Sequence, residues 1–324
     1  MSNVQLLIGD LNGLLTDSKR RFPDIRLSCE AAIKVLKSYS LVVPIQEINK
    51  EDHKEEILKP FILSCKSGNI KLTNISIPVI HKLILAHLIP ELDITQVLLC
   101  LLEASNLAVD IQLRILQCLP ALMQKYPITG TNLLDMLAIC SSLTANNKSS
   151  MVVNTASATL QQLFTNIYDS IGESSNEKKK EHEVVIDNDE TVKLDSLSHE
   201  GFLIFQDLCN FIDNESPTYL KDPIHIKLYS VLEIVESIVH GHQVLFQTHK
   251  ELTYLLRVRL FPSMLKILNS VTKNFPLVNR TIRIMNVLLS TQLENLKIES
   301  EIVLSFFCHL LIDGGEMEEN ESNW

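Results

Sequence analysis

The fold class of this chain is indicated most clearly by the stretch Phe202-Leu-Ile-Phe-Gln-Asp-Leu-Cys-Asn-Phe-Ile-Asp-Asn-Glu-Ser-Pro217. Its apolar residues recur every three or four positions, which is typical of an amphipathic helix that packs one face on a core. Pro217 then ends the helix in a loop. The same spacing continues in Ile234-Val-Glu-Ser-Ile238 and in Glu251-Leu-Thr-Tyr-Leu-Leu-Arg-Val-Arg-Leu-Phe-Pro262. The region therefore predicts consecutive helices.

Helical spacing extends along nearly the whole chain. It predicts helices at about residues 4–15, 23–39, 53–66, 70–88, 93–105, 110–125, 131–145, 150–171, 199–213, 224–240, 250–269, 276–291 and 298–312. Helices of this length with short connections predict an all-α fold, an α-solenoid of antiparallel helix pairs of the armadillo or HEAT type. Since no repeat motif recurs at a fixed period, a compact irregular helical bundle is the structural alternative.

Residues 172–198 interrupt the helical pattern. They contain the charged run Glu173-Ser-Ser-Asn-Glu-Lys-Lys-Lys-Glu-His-Glu183, followed by Asp187-Asn-Asp-Glu190. Such a composition is typical of solvated segments that cannot bury a face, so we predict a flexible charged insert. The insert separates a helical domain at 1–171 from a continuing helical segment at 199–324.

Composition limits the class of protein. Hydrophobic residues make up 46% of the 324 residues and aromatic residues only 6%, a balance that suits stacked aliphatic helices. The net charge of −10 disfavours binding to nucleic acid. The seven cysteines are scattered in apolar runs without a CxxC pair, which predicts a reduced, cytosolic protein. No apolar run reaches the roughly 18 residues of a spanning helix, so we expect any membrane contact to be peripheral.

The sequence offers no catalytic constellation. No residue stands in a nucleophile-elbow context, and Gly-rich phosphate loops are absent, so we expect neither enzymatic activity nor a cofactor. His240, His242 and His249 form the one histidine cluster. A zinc site needs three or four ligands, and no cysteine lies nearby in sequence, so these histidines are better explained as caps of helix carbonyls than as metal ligands.

Two basic groups are candidates for an interaction surface. Lys19, Arg20, Arg21 and Arg26 form the densest basic group outside the insert, and anionic lipid headgroups or an acidic partner would bind there. The alternative is a solvated helix end neutralised by nearby carboxylates. Arg280 and Arg283 share a helix and lie opposite its apolar stripe, where they are either exposed to a partner or paired with a neighbouring helix.

Several sequence blocks occur in an order that resembles a known family. The blocks are Leu11–Arg26 with Glu30–Lys34, Pro60–Cys65 with Asn69–Leu72, Asn154–Gln162, Phe202–Pro217, Phe275–Ile284 and Glu299–Ser305. Together they resemble the N-terminal region of the large Arf-exchange-factor family. The earlier blocks are similar to its dimerisation and cyclophilin-binding domain, and the later ones to the approach to its homology-upstream domain.

The resemblance is strongest to the Golgi-scaffold branch of that family. It implies a non-catalytic, homodimeric adaptor in vesicle traffic, peripheral on late Golgi and endosomal membranes, that binds a Dopey-type protein and Arf-like small GTPases. It also implies that the chain is part of a much longer protein. One alternative is the regulatory N-terminal segment of an active Arf exchange factor. Another is an unrelated helical-repeat transport receptor.

Overall fold

The computed structural model describes residues 4–18, 21–39, 42, 44–48, 50–173, 181–186, 190–221, 224–270 and 274–321. The chain divides into two compact units. The first comprises Met1–Asn166 with Asp222–His225, and the second comprises Ile167–Lys221 with Ile226–Trp324.

The first unit is built from helices alone in its described part. They are α1 (Val4–Ser18), α2 (Pro23–Leu36), α3 (Glu51–Lys66), α4 (Ile70–Leu85), α5 (Ile94–Ala104), α6 (Val109–Lys125), α7 (Gly130–Asn146) and the first part of α8 (Ser150–Glu173), with short 3₁₀ turns at Ile45–Glu47 and Glu91–Asp93. The helices α1 to α4 pack on their neighbours along the chain, as do α5 to α7, and α4 also packs on α1 and α6, while α5 packs on α3 and α7. Each of the helices α1 to α7 therefore packs against two or more others.

Local chemistry sets where these helices begin. Pro23 opens α2, at a position where its missing N–H has no intrahelical partner to lose. The Asn69 side chain caps α4 by accepting the N–H groups of Lys71 and Leu72 at 3.0 and 3.3 Å. The residues on the inner faces of these helices are buried, as Ile77 of α4 is.

The second unit adds a small hairpin to its helices. Its elements after α8 are β1 (His182–Val185), β2 (Thr191–Leu194), α9 (Ser196–Ile212), α10 (Leu228–Gly241), α11 (Gln243–Thr248), α12 (Lys250–Leu255), a π-helical segment (Leu256–Leu260), α13 (Phe261–Ser270), α14 (Phe275–Thr291) and α15 (Lys297–Glu321). Helix α10 packs on α9 and α14, and α13 packs on α14. The single long helix predicted at 250–269 is thus interrupted by one π-helical turn.

The hairpin corrects the prediction of a flexible insert at 172–198. Gly172 and Glu173 belong to α8, and β1 pairs antiparallel with β2 so that Val184 lies opposite Val192. The expectation that this segment cannot bury a face is wrong for residues 181–186 and 190–198, while 174–180 and 187–189 lie outside the described residues; the flexibility of the segment stays a prediction. Val184, Ile186 and Leu194 are buried on the hairpin face that covers α9, so this segment does bury an apolar face.

Aromatic rings hold α8, α9 and α11 together in the second unit. The fully buried ring of Tyr168 lies 6.4 Å from both Phe205 and Phe246, and its hydroxyl donates to the Gly201 carbonyl at 2.9 Å. A Cβ at Gly201 would collide with the end of the Ile171 side chain, so a larger residue there would require that side chain to shift.

The described residues are predominantly helical, with the β1–β2 hairpin as their one sheet. The predicted fold class, all-α with helix pairs stacked in the manner of a helical repeat, is confirmed. None of the helices within the described ranges combines the length and apolarity that a membrane crossing needs.

Candidate functional site

The N-terminal basic group lies where α1 ends and α2 begins. Lys19 and Arg20 fall outside the described residues, whereas Arg21 and Arg26 are both exposed. Arg26 Nε lies 3.1 Å from Glu30 Oε1, and about half of each side chain remains open to water (52% and 49%). Such an exposed pair contributes little and exchanges easily for another anion. The exposed side chain of Leu27 adjoins it, so basic and apolar surface occur together.

Arg280 is held inside its own unit. On α14 it reaches α10, where Nη2 donates to Glu233 Oε1 at 2.9 Å and to the Tyr229 hydroxyl at 2.8 Å, and Nη1 contacts Glu236. Its guanidinium also lies 5.1 Å from the centre of the Tyr229 ring. Only 18% of the side chain is exposed. Desolvation alone would lower the pKa of Arg280, but hydrogen bonds to Glu236 and Tyr229 and the charge of Glu236 raise it above its ordinary value.

Arg283 differs from Arg280 although it lies one turn away. Its Nη2 atom contacts Glu236 Oε1 at 2.8 Å, yet 60% of the side chain is exposed. Of the two arrangements that the sequence left open, the structure has the one in which both arginines pair with a neighbouring helix. Arg283 is the member of the pair that still presents a guanidinium to solvent.

The histidines that the sequence singled out line a groove of about 1030 Å³ in the second unit. His242 Nδ1 lies 2.9 Å from the Ile238 carbonyl, and Nε2 lies 2.9 Å from Asp169 Oδ1, so the ring caps the end of α10. His249 Nδ1 contacts the buried carboxylate of Glu251 at 2.9 Å. Among the described residues, no three such groups converge in a way that would hold a metal ion.

Asp207 was not singled out from the sequence, yet it is the most strongly bonded carboxylate described in the second unit. It is fully buried on α9. Its Oδ1 accepts the Thr218 N–H and hydroxyl at 2.8 and 3.0 Å and the Asn210 amide at 3.2 Å. Its Oδ2 accepts the N–H groups of Tyr219 and Leu220 at 2.6 and 2.7 Å. Asp207 thereby fixes the loop that contains Pro217 on the side of α9.

The described cysteines are poor nucleophiles, with one exposed exception. Burial raises the pKa of Cys29 to about 11 and that of Cys118 to about 12, and Glu30 and Cys100 respectively add to these shifts. Cys308 is the exposed one. Because the thiolate is the reactive species, the buried thiols serve as small core residues, as their positions in apolar runs predicted.

A second pair of histidines attaches the hairpin to α9. The rings of His182 on β1 and His199 on α9 are stacked 4.4 Å apart and nearly parallel, at 2°. Burial lowers the pKa of His199, and the charge of His182 lowers it further. Polar and apolar residues alternate in Thr191-Val-Lys-Leu194, but an alternation of four residues inside a charged segment is too short to predict a strand.

Two protein-family models match this chain, one in each half. A family model described as the Mon2/Sec7/BIG1-like dimerisation and cyclophilin-binding domain matches residues 1–175, and a second, described as the Mon2/Sec7/BIG1-like HUS domain, matches residues 197–324. The two models leave only the segment around the hairpin unmatched.

Curated relatives match over nearly the whole chain. Protein MON2 of Saccharomyces cerevisiae is 32% identical over 328 residues, which cover 98% of this chain and 19% of that protein. The MON2 homologue of Homo sapiens is 21% identical over 334 residues, covering 96% and 19%. The homologue of Drosophila melanogaster is 23% identical over 338 residues, covering 95% and 20%. The chain thus spans about one fifth of the length of the relatives it matches.

The family resemblance drawn from the ordered sequence blocks is confirmed by these matches. The first family model alone covers more than half of the chain. The chain belongs to the Mon2/Sec7/BIG1-like family.

Proposed function

We propose that this chain is part of a non-catalytic scaffold in Golgi–endosome vesicle traffic, which dimerises and recruits a Dopey-type protein and an Arf-like small GTPase at membranes. The observation that carries this proposal is the succession of the two family domains along one chain whose relatives bear the MON2 name. Scaffolds act through exposed side chains, so the exposed basic and apolar residues described above are the candidates for its contacts.

The first element of the proposal is a homodimer formed through the N-terminal unit. The matched domain is described as a dimerisation domain. The unit also exposes large apolar side chains, including Leu27, Met151 and Leu92, the last at 95% exposure. Exposed apolar area of this kind is typical of protein–protein contacts when it forms patches. Light scattering at micromolar concentrations should give twice the chain mass of 36.7 kDa. A monomer mass across that range would rule the dimer out.

The second element is contact of the N-terminal basic group with an anionic membrane or an acidic partner. Arg21 and Arg26 are exposed, and the one carboxylate contact of Arg26, with Glu30, is easily exchanged. Each basic residue near an anionic surface contributes about 1 kcal/mol. Reversing both to glutamate should reduce flotation with phosphatidylserine vesicles and weaken its dependence on salt.

A matched control makes that measurement specific. Lys71 and Lys125 are exposed residues of the same unit, so reversing both changes the net charge by the same amount. If this control loses as much flotation as the Arg21 and Arg26 variant, the contact is a general charge effect and the N-terminal group is not the site. Circular dichroism on each variant would verify that the helices are intact.

The third element is recruitment of the Dopey-type protein and the Arf-like GTPase. Arg283 is the better candidate on α14 because its guanidinium stays accessible, whereas Arg280 is bonded to α10. Immobilised chain should retain both partners, and Arg283→Gln should weaken retention more than Lys71→Gln does. Failure of the intact, folded chain to retain either partner would contradict the recruitment proposal.

The alternative, a regulatory segment of an active Arf exchange factor, rests on the Sec7 and BIG1 part of the family description. A nucleotide-exchange assay on the full-length protein separates the two. A scaffold leaves the release of labelled GDP from an Arf-type GTPase at its spontaneous rate, and an exchange factor accelerates it.

A further inference from the structure

One exposed serine in the second unit lies in a loop and is followed directly by a proline. The loop from Asp213 to Lys221 connects the end of α9 to the segment before α10, and it contains Ser216 followed by Pro217. This is the one Ser–Pro or Thr–Pro pair in the 324 residues. Ser216 is exposed, as are its neighbours Glu215 and Thr218. A serine followed by proline is the minimal substrate of the proline-directed Ser/Thr kinases, because proline offers no backbone N–H at the following position.

The loop holds Ser216 outward because it is anchored on both sides. Before it, the Glu215 N–H donates to the Asn210 carbonyl at 2.8 Å. After it, the Thr218 N–H and hydroxyl bind the buried Asp207 carboxylate at 2.8 and 3.0 Å. Between these two hydrogen-bonded positions, Ser216 and Pro217 belong to neither a helix nor a strand. The hydroxyl therefore stands on the surface without any need for the unit to open.

Cationic side chains approach the same loop. Arg259, on the π-helical segment, lies 3.6 Å from Glu215 Oε2, which is longer than a hydrogen bond, and 40% of its side chain is exposed. Lys266 on α13 contacts Asp213 Oδ1 at 3.0 Å and is 66% exposed. The contact of Arg259 with Glu215 is a surface ion pair, which is weak and readily exchanged, whereas Lys266 pairs with a carboxylate that is only 14% exposed. Arg259 lies in the π-helical segment Leu256–Leu260, a local geometry that is frequent at functional sites.

We propose that Ser216 is a phosphorylation site for a proline-directed Ser/Thr kinase, and that the phosphoserine is bound by Arg259. The kinase transfers the γ-phosphoryl group of MgATP to Ser216 Oγ: a P–O bond to the serine forms, the bond to the β-phosphate breaks, ADP leaves, and the kinase base takes the hydroxyl proton. The phosphate carries nearly two negative charges and three acceptor oxygens. Arg259 then exchanges its long contact with Glu215 for charge-assisted bonds to phosphate.

The first experiment tests the site. The folded chain is incubated with MgATP and, in separate reactions, a mitogen-activated protein kinase and a cyclin-dependent kinase, and modified peptides are located by mass spectrometry. We expect phosphate on Ser216, with loss of incorporation in Ser216→Ala and Pro217→Ala. Ser290→Ala is the control, since Ser290 is equally exposed but is followed by threonine. If neither kinase modifies Ser216 in the folded chain, the site is overturned, even when the urea-unfolded chain is modified.

The second experiment tests the role of Arg259. The second ionisation of phosphoserine falls near pH 6 in water and can be followed by phosphorus NMR. A guanidinium beside the phosphate favours the dianion, so the phosphate of the wild-type chain should titrate below that value and that of Arg259→Gln closer to it. Equal titration in the two proteins would overturn the assignment of Arg259 while leaving the modification site to the first experiment.

Discussion

Arg26 on α2 and Arg280 on α14 belong to the two basic groups that the sequence proposes as surfaces, and the structure treats them differently. Arg26 contacts one half-exposed glutamate on its own helix. Arg280 contacts Glu233, Glu236 and Tyr229 on a neighbouring helix and is largely shielded from water. The difference shows that an arginine opposite an apolar stripe is a candidate for partner binding only when its guanidinium stays accessible to solvent, which the carboxylates of an adjacent helix can prevent.

Asp207 extends the same contrast to carboxylates. It is fully buried and accepts five hydrogen bonds, while Asp17 near the end of α1 is exposed. Charged groups bonded inside a unit should therefore control its stability, and exposed ones should control binding. The following predictions test that separation, beginning with the largest expected effect.

Replacing Asp207 by asparagine should have the largest effect. The amide keeps the shape but carries one acceptor oxygen instead of two, so its NH₂ group faces N–H donors that lose their partner. Hydrogen bonds to a charged group contribute about 1.5–3 kcal/mol, and unpaired buried donors add a penalty, so we expect a loss of about 3 kcal/mol in the free energy of unfolding. Urea denaturation followed by circular dichroism measures it. Asp17→Asn is the control and should lie within about 0.5 kcal/mol of wild type. An equally small loss for Asp207→Asn would contradict the view that bonded, buried charges control the stability of the unit.

Replacing Arg280 by glutamine should have the next largest effect. The change leaves Glu233 and Glu236 close together and partly buried, without their main counter-charge. Because part of the network is open to solvent, we expect a loss of about 2 kcal/mol, below the 3–5 kcal/mol typical of a fully buried pair. Arg26→Gln, measured in the same urea titration, should cost no more than about 0.5 kcal/mol. If the two variants lose equal stability, the structural distinction between the two arginines is wrong.

Lowering the pH should loosen the contact between the hairpin and α9. The pKa of His199 lies below its ordinary value of 6.5 because burial disfavours the charged ring and His182 repels it. As the pH falls below about 6.5, the unfolded chain binds this proton before the folded one does, so stability decreases with falling pH in that window. Histidine NMR should show His199 titrating below 6.5, and His182→Ala should raise its pKa. A pKa for His199 above 6.5 would show that burial and the stacked His182 ring do not disfavour its protonation.

The smallest effect concerns the order of the two charges, Arg26 and Glu30, along α2. Near the start of α2, a glutamate interacts better with the helix dipole than an arginine, and a glutamate four residues before a basic residue is the favoured order. The double variant Arg26→Glu with Glu30→Arg should therefore gain about 0.3 kcal/mol, seen as a rise of about 1 °C in melting temperature. Glu30→Gln alone should not raise it. A fall in the double variant would mean that Arg26 has a stabilising contact beyond Glu30.

Most of the helices could be predicted from the sequence, and the hairpin could not. The stretch 202–213 is apolar at helical spacing and does form the greater part of α9. The segment 182–194 was assigned to solvent because it lies within the stretch 172–198, which is rich in charged and polar residues. Val184, Ile186 and Leu194 nevertheless share one face, since alternate residues of a strand point the same way, and α9 supplies the surface that covers them. A two-stranded hairpin alone is marginal, so the pattern acquires meaning only once a covering helix is in place.

By itself the sequence determined the helical class, the family and the basic groups that are candidates for contact, because helical periodicity and ordered sequence blocks are local properties of the chain. The tertiary structure decided which charges are bonded and which are exposed. Glu233 and Glu236 lie more than forty residues before Arg280, and Thr218 lies eleven residues after Asp207. Their contacts depend on how α10 packs on α14 and on how a loop folds back on α9. Burial and long-range pairing arise from packing between segments, and no local pattern encodes them.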